Sequence, residues 1–203
     1  MKNAEVAAIK EKGSHIGFWN FVAMLLLLVP AISSLLKLEI LKTVGYFIFA
    51  VGSVSVNIYE KIVQQKLAED LKLSLNLELV FHSVFGQFLS FYEKIPLWDK
   101  LLHFYGSLVI TLFFFYTISE KSKFWDGKQP GAIFLSFLLG VFSGVLWEFA
   151  EFITDKLFLY STQHGSDDTM YDLVFDCLGA YVASKILHKK FRGRYFWHPG
   201  NKP

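Results

Sequence analysis

Six apolar runs, at about residues 17–36, 42–59, 75–92, 101–119, 131–154 and 169–188, constrain this chain more than any other feature. A helix needs about 20 residues to cross a hydrocarbon core of about 30 Å, and each run is close to that length. Lipid offers backbone amides no water, so such segments fold as helices whose hydrogen bonds close internally. The expected fold class is therefore all-α: a polytopic transmembrane helical bundle of about six spans, forming a single integral membrane domain over residues 1–203. Composition agrees, since 53% of residues are hydrophobic, 18% are aromatic and the mean hydropathy is +0.38, more apolar than a soluble domain of this size. The third run carries Glu78, His82 and Gln87 and also suits a half-buried or re-entrant helix. The first follows Lys2, Lys10 and Lys12, yet it is longer than a secretion-signal core and has no convincing small-residue cleavage site, so it reads as a retained span.

Alternating six spans across the membrane puts Lys37, Lys42, Lys94, Lys100 and Lys156 on one side and the other 15 of the 20 Lys and Arg residues on the opposite side. The positive-inside rule then places both termini in the cytoplasm, in the cell (inner, cytoplasmic) membrane. The tail from residue 189 to 203, KKFRGRYFWHPGNKP, mixes cations with aromatics and suits the anionic cytoplasmic leaflet. A net charge of +2 gives no footing for a nucleic-acid partner, and the expected partners are membrane lipids. Cys177 is the single cysteine, which excludes an intrachain disulfide and a cysteine metal cluster; it reads as a small packing residue.

This topology brings three acidic stripes to one outward level. Asp99 and His103 open the fourth span at i,i+4 spacing, Glu148, Glu151 and Asp155 end the fifth at i,i+3,i+7, and Asp168, Asp172 and Asp176 open the sixth at i,i+4,i+8. Like charges at helical spacing repel, and an ionised carboxylate deep in a membrane costs roughly 2.5–3.5 kcal/mol on an insertion scale. Protons, water or a cation must compensate. Glu148, Glu151, Asp172, Asp176 and His103 form a candidate ligand set for a divalent cation, Mg²⁺, Mn²⁺ or Zn²⁺, the choice turning on whether His103 ligates. Asp99, Asp155, Asp167 and Asp168 lie nearer helix ends, where capping accounts for them as well as a ligand role does. His82, four residues after Glu78, reads as a hydrogen-bonded core histidine, with a place in the acidic cavity as the alternative; His164 reads as solvated. Gly140 and Gly144 form a GxxxG pair, and Gly106 and Gly179 would let the fourth and sixth spans approach.

The segments WDKLLHFYGSLVIT, WEFAEFITD and GSDDTMYDLVFDCLGA resemble the YjdF-like family of small bacterial and archaeal inner-membrane proteins, through the patterns D-K-x-x-H-F, W-E-x-x-E and D-T-x-x-D-x-x-x-D-x-x-G-A. The match covers about residues 75–185, and it implies the helices and the polar residues rather than a reaction. A more distant similarity is to VanZ-like proteins, which share D-K-x-x-H-F and an acidic helix before an aspartate-led one. This chain has Glu151 where that family tends to place glutamine, and it adds Asp172 and Asp176, so a glycopeptide-resistance role does not carry over.

Three functions follow from an outward acidic layer. One is a metal-dependent enzyme acting on a lipid or lipid-linked substrate, with Glu148, Glu151, Asp172, Asp176 and His103 at the metal and Asp99 and His103 as the catalytic pair. The second is an ion or proton pathway, which the apolar inner stretches LVITLFFFYTI and AIFLSFLLG disfavour. The third is a structural or accessory subunit whose polar layer locks helices together. The orientation itself is testable in a Cys177→Ser background. A cysteine at Ser166 is expected to react with a membrane-impermeant reagent outside the cell and one at Ser122 to stay unreactive; the opposite pattern overturns the topology.

Overall fold

The computed structural model describes residues 2–121, 129–158 and 165–192, with side chains over 18–119, 130–157 and 165–191; Ser122, His164 and residues 193–203 lie outside them. The regular elements among the described residues are all helices, with no strand, as a helical membrane bundle requires. The elements are α1 (Lys2–Leu36), α2 (Ile40–Val63), α3 (Glu69–Val80) running into a π-helical segment (Phe81–Phe88), a short α4 (Phe91–Lys94), α5 (Trp98–Lys121), α6 (Gln129–Phe158) and α7 (Ser166–Arg192). They fall into two compact units, residues 1–102 and 103–203, with the division inside α5.

In the first unit α1 and α2 pair through a tight turn in which Leu38 takes a left-handed φ of 58°. Ala23 and Ala50 are small enough to let α1, α2 and α3 close on Leu27, Val80 and Val84, with Phe49 and Phe85 packed around them. Lys72 is buried between Glu60, 3.4 Å away, and Glu69, while Glu60 also accepts the Leu67 amide at 2.8 Å. Buried charges persist when paired and hydrogen-bonded in this way. His82 is a hydrogen-bonded core histidine: its Nδ1 lies 2.6 Å from the Tyr92 hydroxyl, its Nε2 3.1 Å from the Gln87 amide, and Phe49 lies against its ring.

In the second unit the core gathers Phe115 of α5, Ala132 and Ile133 of α6 and Leu187 of α7. Two glycines set how closely its helices approach. A Cβ at Gly179 would fall on the carbonyl oxygen of Phe104 and within 3.1 Å of the Leu108 nitrogen, so α7 meets the backbone of α5 there. A Cβ at Gly140 would fall on the Thr111 side chain, bringing α6 against α5.

Among the described residues, four helices are long and apolar enough to cross a membrane: Phe18–Leu36, Ile40–Val63, Trp98–Ser119 and Pro130–Leu157. The other two expected spans are helical but more polar. Over 75–92 the helix changes from α to π at Phe81 and ends at Phe88, so the apolar run is not one regular helix. The 27-residue α7 falls short because of its many charged residues, yet these are not spread evenly. Asp172, Asp176, Gly179, Ala180, Ala183 and Leu187 are buried along one side, whereas Tyr171, Val174, Leu178, Tyr181 and Ile186 are exposed. Its two deep aspartates and three small residues face protein and most of its large apolar residues face out, the inverse of a helix on a water-soluble fold, although Leu187 is buried and Cys177 is exposed.

These approaches predict opposite outcomes for two glycines. Gly179→Ala places a methyl on backbone that cannot yield and is expected to destabilise the protein by about 1–3 kcal/mol. Gly45→Ala, where a Cβ meets nothing within 4 Å, is expected to be neutral or to stabilise by up to about 1 kcal/mol. Thermal or denaturant unfolding in detergent measures both.

Candidate functional site

The buried face of α7 carries the site, because Asp172 and Asp176 are one helical turn apart and point the same way. Both are only 2% exposed, and Glu148 of α6 and His103 of α5 are 5% and 6% exposed. The imidazole stands at the centre. Its Nδ1 lies 3.2 Å from Asp176 Oδ2, and its Nε2 lies 3.4 Å from Glu148 Oε1 and 4.0 Å from Asp172 Oδ1. These Nε2, Oε1 and Oδ1 atoms are sealed from solvent.

Two residues position Asp176. The Ser107 hydroxyl donates to its Oδ1 at 2.6 Å, joining α5 to α7. On the opposite side is Gly144 of α6, where a Cβ would collide with the Asp176 carboxyl group. A carboxylate can lie flat against the α6 backbone only because that position is glycine. The GxxxG pair thus has a particular use at each end, with Thr111 against Gly140 and Asp176 against Gly144.

The structure brings His103, Glu148, Asp172 and Asp176 together within the second unit. Glu151 is half-buried one turn along α6 and accepts a hydrogen bond from the Trp147 indole at 3.1 Å. Asp99 stands one turn before His103 on α5, where the two offer ligand atoms within 4.8 Å, and its Oδ2 lies 3.4 Å from the Lys100 ammonium. Asp155 and Asp168 are half-buried and Asp167 is exposed. Ser107 is the residue that acid and histidine spacing passed over. It continues the stripe of Asp99 and His103 by one more turn, and that periodicity is the mark by which the sequence identifies it.

His103, Glu148 and Asp172 offer nitrogen and oxygen donors of the types that a small divalent ion accepts. Bonds of about 2.0–2.2 Å to nitrogen and oxygen at near-tetrahedral angles put ligand atoms roughly 3.3–3.6 Å apart; from His103 Nε2, Glu148 Oε1 lies within that range at 3.4 Å and Asp172 Oδ1 beyond it at 4.0 Å. Charge points the same way, because one imidazole carries at most one positive charge against three carboxylates. Ionised together without a counter-charge, these groups repel in a medium that screens poorly.

The chain matches the family described as Predicted membrane protein (DUF2238) over residues 17–192. An uncharacterized protein of Thermotoga maritima is 55% identical over 192 residues, covering 94% of this chain and 98% of that protein. No solved structure matches the chain. The chain belongs to the DUF2238 family of membrane proteins; neither match supports the more distant VanZ-like similarity.

The hydrogen bond from Ser107 to Asp176 spans two helices with both partners buried. Ser107→Ala is expected to lower the unfolding free energy by about 1–2 kcal/mol, read from the denaturation midpoint in detergent.

Proposed function

We propose that this DUF2238 membrane protein, identified further as YjdF-like from its D-K-x-x-H-F and W-E-x-x-E segments, is a metal-dependent enzyme acting on a lipid or lipid-linked substrate at the outer leaflet. The observation that carries the reading is the convergence of His103 Nε2, Glu148 Oε1 and Asp172 Oδ1 at 3.4 and 4.0 Å in a buried layer. His103, Glu148 and Asp172 would hold the ion, and a mixed nitrogen and oxygen donor set favours Zn²⁺ or Mn²⁺ over Mg²⁺. The chemistry such an ion supplies is a lowered pKa for bound water and polarisation of a phosphoryl or carbonyl oxygen. Asp99, one turn from His103, is the candidate general base, and Lys100 beside it offers a positive charge to an anionic headgroup. Glu151, one turn along α6, accepts the Trp147 indole hydrogen bond and is not among the groups at His103 Nε2 in this reading. The Lys and Arg bias supports a cytoplasmic-membrane location with both termini inside, and the apolar outer face of α7 supports its crossing as a span.

One observation favours a second reading, a structural or accessory subunit. The Ser107 to Asp176 hydrogen bond and the His103 to Asp176 contact join α5 to α7 as a polar lock without any ligand.

Chelation distinguishes the two. For a metal site, purified protein holds near-stoichiometric metal and its melting temperature falls with chelator. Asp172→Asn then removes both the metal and the chelator effect. A lock predicts background metal, no chelator effect in the wild type, and a lower melting temperature in Asp172→Asn; that result overturns the metal reading.

A further inference from the structure

The two carboxylates of α7 stand on different edges of one imidazole, and this divides their roles. Asp172 Oδ1 is 4.0 Å from Nε2, on the side where Glu148 Oε1 is 3.4 Å away, whereas Asp176 Oδ2 is 3.2 Å from Nδ1. An ion bound between Nε2, Glu148 and Asp172 lies on the far side of the ring from Asp176. Asp176 is also occupied elsewhere, since its Oδ1 accepts the Ser107 hydroxyl at 2.6 Å and its carboxyl group is backed by Gly144. An ionised carboxylate accepts and does not donate, so beside ionised Asp176 a neutral imidazole carries its proton on Nδ1. Nε2 is then the nitrogen that keeps its lone pair toward Glu148 and Asp172.

We infer that Asp176 is a positioning residue rather than a ligand: with Ser107 and Gly144 behind it, it holds His103 in the Nδ1–H tautomer and aims Nε2 at the metal site formed with Glu148 and Asp172. The inference rests on the metal reading proposed above and makes its own claim within it. Helical spacing alone gives the two aspartates the same standing, one turn apart on one face. Tertiary contacts separate them. Carboxylates that hold the second nitrogen of a metal-bound histidine typically alter metal affinity 10–100-fold when replaced, because they fix both the ring orientation and the tautomer. Gly144 acts at one further remove: any side chain there displaces the carboxyl group that touches the ring.

The test uses the full-length protein in detergent, with Zn²⁺ affinity measured against a chromogenic chelator and the His103 tautomer read from ¹⁵N spectra of the metal-free protein. Wild type is expected to bind Zn²⁺ and to show His103 protonated at Nδ1. Asp176→Asn, which keeps the volume but weakens the acceptor, is expected to bind 10–100-fold more weakly and to lose the fixed Nδ1–H tautomer. Gly144→Ala should move both readouts in the same direction, and Ser107→Ala should cost only a few-fold in affinity. His103→Ala and Asp172→Asn should abolish binding. If Asp176→Asn binds as tightly as wild type, or binds more weakly with the tautomer unchanged, the positioning role is overturned while the metal site stands. Absence of Zn²⁺ binding in wild type overturns the metal reading instead. Should Asp176→Asn not fold, Ser107→Ala and Gly144→Ala carry the same decision through the tautomer.

Discussion

Much of the second unit depends on one constraint: a carboxylate buried in an apolar helix bundle must have partners on every side. Asp176 meets it with the Ser107 hydroxyl at one oxygen, the His103 ring at the other and the bare backbone at Gly144 behind. Each partner comes from a helix other than α7, so satisfying this one group brings α5 and α6 to α7. Removing any partner leaves a buried polar group in a medium that offers nothing in exchange. The close approach at Gly179 follows the same logic on the next turn of α7, where the helix lies against the Phe104 carbonyl. Small residues provide proximity, and the polar contacts make that proximity specific.

The first unit handles buried charge differently. Lys72 lies between Glu60 and Glu69, and Glu60 also accepts the Leu67 amide, so opposite charges neutralise one another within the unit. Around His103 the ion-pair contacts described are with three carboxylates, those of Glu148, Asp172 and Asp176. The contrast sets the two buried clusters apart. One is closed by its own charges, and the other has an excess of acceptors converging on one nitrogen. This asymmetry, more than the number of acids, supports the choice of the His103 layer as the functional candidate.

Hydropathy describes lipid-facing helices well and site-bearing helices poorly. α1 and α2 present large apolar residues such as Phe21, Ile32, Phe47 and Ile48 outward, and they read as spans at once. α7 is averaged away, because its acidic and basic residues enter the same mean as Tyr171, Val174 and Leu178. The segment from α3 to Phe88 is similarly diluted by Glu78, His82 and Gln87, and its change to π geometry at Phe81 cannot be read from hydropathy. A mean over residues discards direction, and in a membrane protein direction separates a polar site from a lipid face.

The sequence by itself determined that the chain is a helical membrane protein, where its apolar helices lie, and that Asp99, His103, Glu148, Glu151, Asp172 and Asp176 stand in three stripes of helical period. Those conclusions rest on local quantities, hydrophobic length and a repeat of about 3.6 residues, which the chain carries in linear order. Only the tertiary structure decided which stripe members meet. It set Glu148 and Asp172 at one nitrogen of His103 and Asp176 at the other, left Glu151 with Trp147, and showed Gly144 making room for a carboxylate. The reason is that spacing along a helix gives a residue's face but not the rotation or depth at which that face docks. Those are set by the close approaches at Gly140, Gly144 and Gly179, to the Thr111 side chain, the Asp176 carboxyl group and the Phe104 backbone, each of which pairs residues distant in sequence.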